Sequence, residues 1–565
     1  MPVAIIIGII ILVLIVRGVF LERKKRLSLY DSFKNDFGKI RKKEYKYGKA
    51  HRDAILKRNL SDGFIDDITW SDLDMESVFE RIDKCKSAVG EEYLYYMLHK
   101  EHCLDRGQSF DKLCDALSDN EKVRTDLLFS LNRLGYIKGF SPFDYLDFLT
   151  TGKSRFPIMH ILTGLLYIPA VCLIFFYPIA GAIAVFLTVL LNVFIYFREK
   201  HKLEGIMESI GLLVRLSGEY INLEKNSPEV LDESYYGDSF LGEVIDAESL
   251  VKIARAIKSK GKYLAASGSG RVAPTGNPLE VILTYVNILF HFDLITYELL
   301  IGNLTGNKDL FEYMLYLFGR IDAAISVADF RASLKENWCK PIFTDFMGGR
   351  DDVYLSLEEG YHPLVENFVS NSVCSKNGVL LTGSNASGKS TFLRMVAINA
   401  ILAQSIGTVC AKHYSAPVFN IFSSIALKDN LSGNESYFIV EIKSVKRILD
   451  ADCEKYPVLC FIDEVLRGTN TVERISASQT ILKYFKKRPI LCFAATHDLA
   501  LADVLSGEYD NYHFSETVSG SDVYFDYVLR EGKAVSRNAL RLLRSYGFPE
   551  EIVREAENAA LNLDS

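Results

Sequence analysis

The sequence predicts an α/β domain at the C-terminal end of the chain, an all-α region before it, and three transmembrane helices. Three observations carry that reading. After residue 348 short apolar runs alternate with helical stretches, the pattern of a largely parallel sheet. Between residues 59 and 345 apolar residues recur at three and four spacing, the period of amphipathic helices. Two further tracts lack charge over the lengths that bilayer insertion requires. At 565 residues, 49% hydrophobic and 24% charged, the chain is long enough for several cores.

Val3–Val16 is apolar throughout and is followed by Arg23, Lys24, Lys25 and Arg26. A cleaved signal peptide carries its positive charge before the apolar run, so this order predicts an uncleaved anchor over 1–21, its basic flank on the cytoplasmic side. Residues 22–58 form a basic juxtamembrane segment, with 14 Lys/Arg against 5 Asp/Glu in a chain of net charge −7. That overall charge excludes a protein that coats nucleic acid by bulk basicity. Locally, "KIRKKEYKYGKAHRDAILKR" (39–58) suits nucleic-acid phosphates, with Tyr45 and Tyr47 between cations, and equally suits anionic lipid or plain solvation.

Pro157–Phe197 runs for 41 residues without Asp, Glu, Lys or Arg, about twice the ~20 residues that span a bilayer. A hairpin turning near Tyr177–Gly181 is expected within 153–202. Lys153 and Arg155 before it, and Arg198, Lys200 and Lys202 after it, put both ends in the cytoplasm. The location expected is therefore the inner (cytoplasmic) membrane, with the bulk of the chain cytoplasmic. Helical core segments are expected at 59–152 and 203–345, with a loop at 266–278. "LEVILTYVNILFHFDLITYELLIGNL" (279–304) carries Glu280, His291, Asp293 and Glu298, and is expected as a buried helix of a soluble domain. The ten cysteines show no C-x-x-C pair and no zinc-knuckle spacing, which points to free thiols.

The α/β domain is expected over 346–565. Within it, Gly383, Ser384, Asn385, Ala386, Ser387, Gly388, Lys389, Ser390 and Thr391 follow the strand-like "GVLLT" and precede a helical stretch. Glycines there let backbone N–H groups close on phosphates beside a helix N-terminus; Lys389 reaches the β and γ phosphates and Ser390 ligates Mg²⁺. "VLCFIDE" ends an apolar strand in two carboxylates: Asp463 for the Mg²⁺ shell, Glu464 to orient or deprotonate the attacking water. His497 follows a third strand, where spacing alone leaves a structural role and a γ-phosphate-sensing role both open.

"LLTGSNASGKSTFLRMVA", "DNLSGNESYFIVEI", "FIDEVLRGTNT" and "AATHD", in that order, resemble the ATPase domain of the MutS mismatch-repair family, a branch of the ABC-type ATPases. "YHPLVEN" (361–367) and "SYGFPEEIVREA" (545–556) are similar to the family's flanks, and "ERIDKCKSAVGEEYLYYML" (80–98) to the start of its helical core domain. The resemblance implies a P-loop ATPase preceded by an all-α core/lever domain, with ATP and Mg²⁺ bound and hydrolysis at a composite site in a homodimer. Ser436 in "SGNES" matches the family serine that reaches the partner's γ phosphate, beside Asn434 and Glu435, and Arg467–Thr471 would lie at the dimer seam. Ser384 and Ala386 stand where Pro and Met are usual, and Leu466 where Gly is usual. Residues 1–58 leave no room for the family's mismatch-reading and connector domains, and the Phe-x-Glu triplets at 197–199 and 514–516 fall in unsuitable places. The expectation is a divergent, membrane-anchored member whose ATPase cycle is coupled to DNA. The alternative is an ABC-like ATPase acting on a membrane or protein partner without nucleic acid.

Overall fold

The structure, a computed structural model, describes residues 2–40, 43, 45, 52–59, 63, 65–100, 104–136, 141–151, 158–235, 247–261, 278–383, 387–425, 437–466, 470–519, 522–534 and 547–563. The chain forms two compact units: residues 1–60, 82–96 and 108–333, and residues 61–81, 97–107 and 334–565. In chain order, α1 (Pro2–Asp36) and α2 (Ala54–Arg58) precede α3 (Asp67–Asp72), α4 (Met75–Ile82), α5 (Ala88–His99), α6 (Leu104–Asp119), α7 (Glu121–Leu134) and α8 (Pro142–Thr151). The charge-free tract forms α9 (Ile158–Leu165), α10 (Tyr167–Phe176) and the start of α11 (Pro178–Asn226). Then come α12 (Ala247–Lys260), α13 (Pro278–Phe290), α14 (Phe292–Thr305) and α15 (Lys308–Leu334).

The first unit is helical. Its core is fixed where α5 meets α15 at two glycines: a Cβ on Gly90 would stand 2.3 Å from an Asp322 oxygen, and one on Gly319 would stand 2.9 Å from the Val89 carbonyl. That closeness lets the buried Asp322 carboxylate accept from the Ser87 hydroxyl at 2.5 Å and from the Ser87 and Lys86 N–H groups. The described residues of the 39–58 segment make contacts within this unit. Lys43 bridges Asp83 (2.6 Å) and Glu91 (3.0 Å), Arg52 pairs with Glu91 at 2.6 Å, and the Tyr45 hydroxyl donates to Asp83. Lys57 pairs with Asp53, and Arg58 with Asp147. These four cations are matched to carboxylates of the same unit, whereas Arg41, Lys42, Lys46 and Lys49 lie outside the described residues.

The charge-free tract turns at Tyr177, as expected. Gly181 lets α10 and α11 touch, because a Cβ there would lie 2.4 Å from the Ile174 nitrogen. Residues 158–176 and 178–201 are long and apolar enough to cross a membrane, and only 11% and 22% of their residues are buried, unlike core helices of a soluble protein. Among the described residues these are the two such helices, where three were expected. The N-terminal tract is helical within α1, but the side chains of residues 1–12 lie outside the described residues. α11 continues unbroken to Asn226, for 49 residues. The single buried helix expected at 279–304 is instead two, α13 and α14, broken at His291, whose backbone is left-handed (φ +56°). The 266–278 loop lies outside the described residues save for Pro278.

The second unit holds the sheets. Its strands are β1 (Ile342–Thr344), β2 (Leu355–Gly360), β3 (Asn371–Ser375), β4 (Val379–Thr382), β5 (His413–Pro417), β6 (Asn420–Ser424), β7 (Val458–Asp463), β8 (Ile490–Thr496), β9 (Asp510–His513), β10 (Glu516–Ser519), β11 (Asp522–Phe525) and β12 (Arg530–Glu531). A six-stranded sheet has the order β12-β9-β4-β8-β7-β6, parallel except for β12. β4, β7 and β8 are buried along nearly their whole length, as strands covered on both faces must be. Helices α16 (Lys389–Ile406), α17 (Tyr437–Asp450), α18 (Thr471–Lys486) and α19 (Leu499–Val504) connect them, and α20 (Glu550–Leu563) follows the sheet. A second sheet, β1-β5-β2-β3, mixes parallel and antiparallel pairs and was not anticipated.

The open edge of β6 is closed by α3. Asp72 accepts from the Ser423 hydroxyl (2.9 Å) and the Ile425 N–H (2.8 Å), Thr69 accepts from the Ser423 N–H, and Arg447 of α17 joins Asp66 to the Ser423 carbonyl. Exposed edges invite pairing with other chains, so this cover is a structural necessity.

Glu91→Ala should leave Arg52 and Lys43 buried without their shared carboxylate. The expected loss is about 3–5 kcal/mol, read as a drop in denaturation midpoint of the detergent-solubilised protein; Lys24→Ala, on the exposed face of α1, should leave the midpoint unchanged.

Candidate functional site

Parallel register places the C-terminal ends of β4, β8 and β7 side by side, Thr382 opposite Thr496 and Asp463 opposite Ala495. The residues just beyond those ends are Gly383, His497 and Glu464. Gly383 (φ +140°) and Gly388 (φ +106°) both adopt backbone conformations closed to side-chain-bearing residues, which allows the chain to turn from β4 into α16. A Cβ at Gly383 would also lie 3.0 Å from the Ser387 hydroxyl and from the Phe514 carbonyl. Ser387 and Lys389 are buried, Ser390 half-buried and Thr391 exposed. Ser384, Asn385 and Ala386 lie outside the described residues.

Five predicted residues converge here. The Lys389 ammonium donates to the Gly383 carbonyl and stands 3.4 Å from His497 Nδ1. The Ser390 hydroxyl donates to the Asp463 carboxylate. The His497 ring bridges the site, with Nδ1 3.0 Å from the Gly383 carbonyl and Nε2 against the Glu464 carboxylate. Glu464 has a left-handed backbone (φ +60°), held because its N–H donates to the Ala495 carbonyl at 2.9 Å. Arg474 of α18 grips Asp498 through two hydrogen bonds, at 2.8 and 2.9 Å, beside His497.

Leu466 has φ +60°, a conformation that favours glycine and costs a branched residue about 1–3 kcal/mol. Its buried side chain joins the apolar cluster of Ile462, Val465, Leu482 and Leu501, which offsets that strain. Asn470 caps α18 by accepting from the Glu473 N–H. Arg467, Gly468 and Thr469 lie outside the described residues, as do Asn434, Glu435 and Ser436. The structure therefore describes the Lys389–Ser390–Asp463–Glu464–His497 constellation of one chain and not the segment bearing Ser436.

The sequence reading missed Tyr527. Its backbone is left-handed (φ +55°), its carbonyl accepts from the Asn371 amide at 3.0 Å, and its ring borders Gly388 so closely that a Cβ there would lie 3.0 Å from it. Only an aromatic residue some 20 positions short of the closing flank could have signalled it. Of the two Phe-x-Glu triplets, the second has its Phe514 buried against Phe392, where it cannot stack on a base; in the first, Phe197 is exposed on α11 and Glu199 pairs with Arg198.

A parallel sheet with a glycine-bounded turn into a buried helix, and with two carboxylates at the neighbouring strand end, defines an α/β domain of the ATPase type. Residues 379–564 match MutS domain V. The chain is similar to the DNA mismatch repair proteins MutS of Leptospira interrogans (34% identity over 259 residues, 42% of this chain and 29% of the relative), Clostridium kluyveri (32% over 265 residues, 44% and 29%) and Aquifex pyrophilus (30% over 260 residues, 44% and 29%). The similarity to MutS is thus carried by this C-terminal region, which matches the family's domain V. It spans about 29% of the length of these curated relatives.

His362, in the "YHPLVEN" flank, is pushed down to about 4 by burial and then by Arg394, with Asp74 opposing. Its neutral form therefore stabilises the fold fully above the ordinary value of 6.5, and that contribution is lost as pH falls from 6.5 towards 4. Over that window wild type should lose about 3 kcal/mol more than His362→Asn, measured by denaturant titration at each pH.

Proposed function

We propose that this chain is a membrane-tethered, MutS-type ATPase that hydrolyses ATP at a site completed by a second copy, with turnover coupled to DNA. The observation that carries this reading is the convergence of Lys389, Ser390, Asp463, Glu464 and His497 on the Gly383 turn. Ser390 and Asp463 offer hard oxygen donors already in contact, a set suited to Mg²⁺, which takes few protein ligands and keeps several waters. When bound with ATP, Mg²⁺ neutralises charge developing on the β and γ phosphates.

The chain's own residues supply the rest. The backbone N–H groups of the glycine-bounded turn (383–388) and the N-terminus of α16 attract the phosphates. Lys389, which holds the Gly383 carbonyl, exchanges that partner for phosphate oxygens. Glu464 accepts a proton from the attacking water, and His497 orients the Glu464 carboxylate and faces the γ phosphate. Ser436 of a second copy closes the site, so turnover requires a dimer. The relatives' role in DNA mismatch repair supports DNA as the coupled partner. The two exposed apolar helices support the tether at the inner membrane, and the exposed Arg23, Lys24, Lys25 and Arg26 of α1 suit anionic lipid.

One observation favours the second reading, an ABC-like ATPase that serves a membrane or protein partner. Lys43 and Arg52, among the cations of the sequence's candidate DNA segment, are occupied by Asp83 and Glu91.

Glu464→Gln should retain ATP binding, lower kcat by about 10²-fold or more, and accumulate an ATP-bound dimer in light scattering; a variant that stays monomeric with ATP bound would exclude the composite site. Turnover of the solubilised protein should rise with homoduplex, mismatched or branched DNA, in a salt-dependent way. Turnover that responds to anionic liposomes and ignores every DNA would replace the first reading with the second.

A further inference from the structure

Helices α13 and α14 are built inside out for a water-exposed pair. Between Thr284 and Gly302 the exposed residues are Thr284, Tyr285, Phe290, Phe292, Leu299 and Gly302, none of them charged. The polar groups Asn287, His291, Asp293 and Glu298 are the buried ones. A helix pair in water shows the reverse distribution.

Two of the buried polar groups, His291 and Asp293, face the apolar hairpin. His291 Nε2 lies 2.9 Å from the Asn192 carbonyl of α11, His291 Nδ1 lies 3.2 Å from His160 Nδ1 of α9, and the Tyr196 hydroxyl donates to Asp293 at 2.9 Å. Lys200 donates to the Tyr196 hydroxyl and stands 3.8 Å from Asp293. These contacts set a depth. Asn192 precedes Arg198, the first charge after the tract, by six residues, or about 9 Å along a helix. The break at His291 is therefore level with the inside of the charge-free tract, and Asp293 is level with its charged end. The break is compatible with that depth, because the His291 N–H donates to the Asn287 carbonyl and the His291 carbonyl accepts from the Ile295 N–H, so its backbone is satisfied within the protein.

We propose that the outer face of α13–α14, marked by Tyr285, Phe290, Phe292 and Leu299, is itself a lipid-contacting surface, seated in the acyl–headgroup boundary of the cytoplasmic leaflet. The occupant is lipid and not a protein, because the face continues the exposed apolar surface of the hairpin, with Phe290 against Tyr167 of α10 (ring centroids 5.2 Å apart), and carries no exposed charge, while the Tyr285 hydroxyl suits the headgroup level. Polar contacts between His160, Asn192, Tyr196 and Lys200 on one side and His291 and Asp293 on the other hold the pair at that level. The inference rests on the hairpin spanning a bilayer.

Phe292→Trp and Leu299→Trp, each in the full chain reconstituted into phosphatidylcholine–phosphatidylglycerol vesicles, test it with brominated acyl chains as quenchers. Emission is read after subtraction of the parent signal from Trp70 and Trp338. Phe175→Trp in the hairpin and Tyr484→Trp on α18 serve as lipid and water references. Blue-shifted emission quenched by bromolipid at 292 and 299, as at 175, is expected, with 484 unquenched. Quenching at 175 without quenching at 292 and 299 overturns the inference and leaves the hairpin in place. No quenching at 175 overturns the hairpin, and the inference with it.

Discussion

The register of the parallel strands β4, β8 and β7 is the constraint on which the site depends. With Thr382 opposite Thr496 and Asp463 opposite Ala495, three segments spread over more than a hundred residues of sequence must surface at one edge. A slip of one residue would turn every strand side chain to the other face. Strands buried on both faces, such as the "VLLT", "VLCFID" and "ILCFAAT" runs, resist such a slip because their neighbours are packed above and below. The chemistry of Lys389, Ser390, Asp463, Glu464 and His497 is therefore assembled by apolar packing before any ligand arrives. The left-handed backbone of Glu464 stores strain at that edge, whereas Gly383 and Gly388 take positive φ without it.

The site was legible in the sequence to the extent that it is local. A glycine-spaced turn between a strand and a helix, or carboxylates at a strand end, constrain a few consecutive residues, and residue type alone reveals them. Contacts that span long separations were not legible. Nothing in "DITWSD" announces that Asp72 will accept from Ser423 and Ile425 some 350 residues later. In the basic run at 39–58 the internal partners of Lys43 and Arg52, Asp83 and Glu91, were equally illegible, because they lie some 40 residues further along the chain. The second, mixed sheet escaped because its short strands show neither a long apolar run nor a clean alternation. His291 escaped because its left-handed backbone is held by contacts with α9 and α11, and no glycine or proline marks the break.

In the first unit, burial and exposure follow two different rules within one chain. Around Gly90 and Gly319, polar groups such as Asp322 are tolerated inside because backbone N–H groups and a hydroxyl satisfy them. Around the hairpin the same satisfaction of polar groups accompanies an outside that is apolar. The proposed membrane tether would account for both, since lipid rewards exposed Phe and Leu where water would not.

Helix α11 joins those two regions without a joint. Its 49 residues amount to about 73 Å at 1.5 Å per residue, the first half apolar and exposed, the second amphipathic and folded into the unit. A flexible tether would only raise local concentration; a continuous rod also removes rotational freedom. If the hairpin spans a bilayer as proposed, the helical units of two copies would be confined to one plane, with less orientational freedom to lose on meeting than in solution.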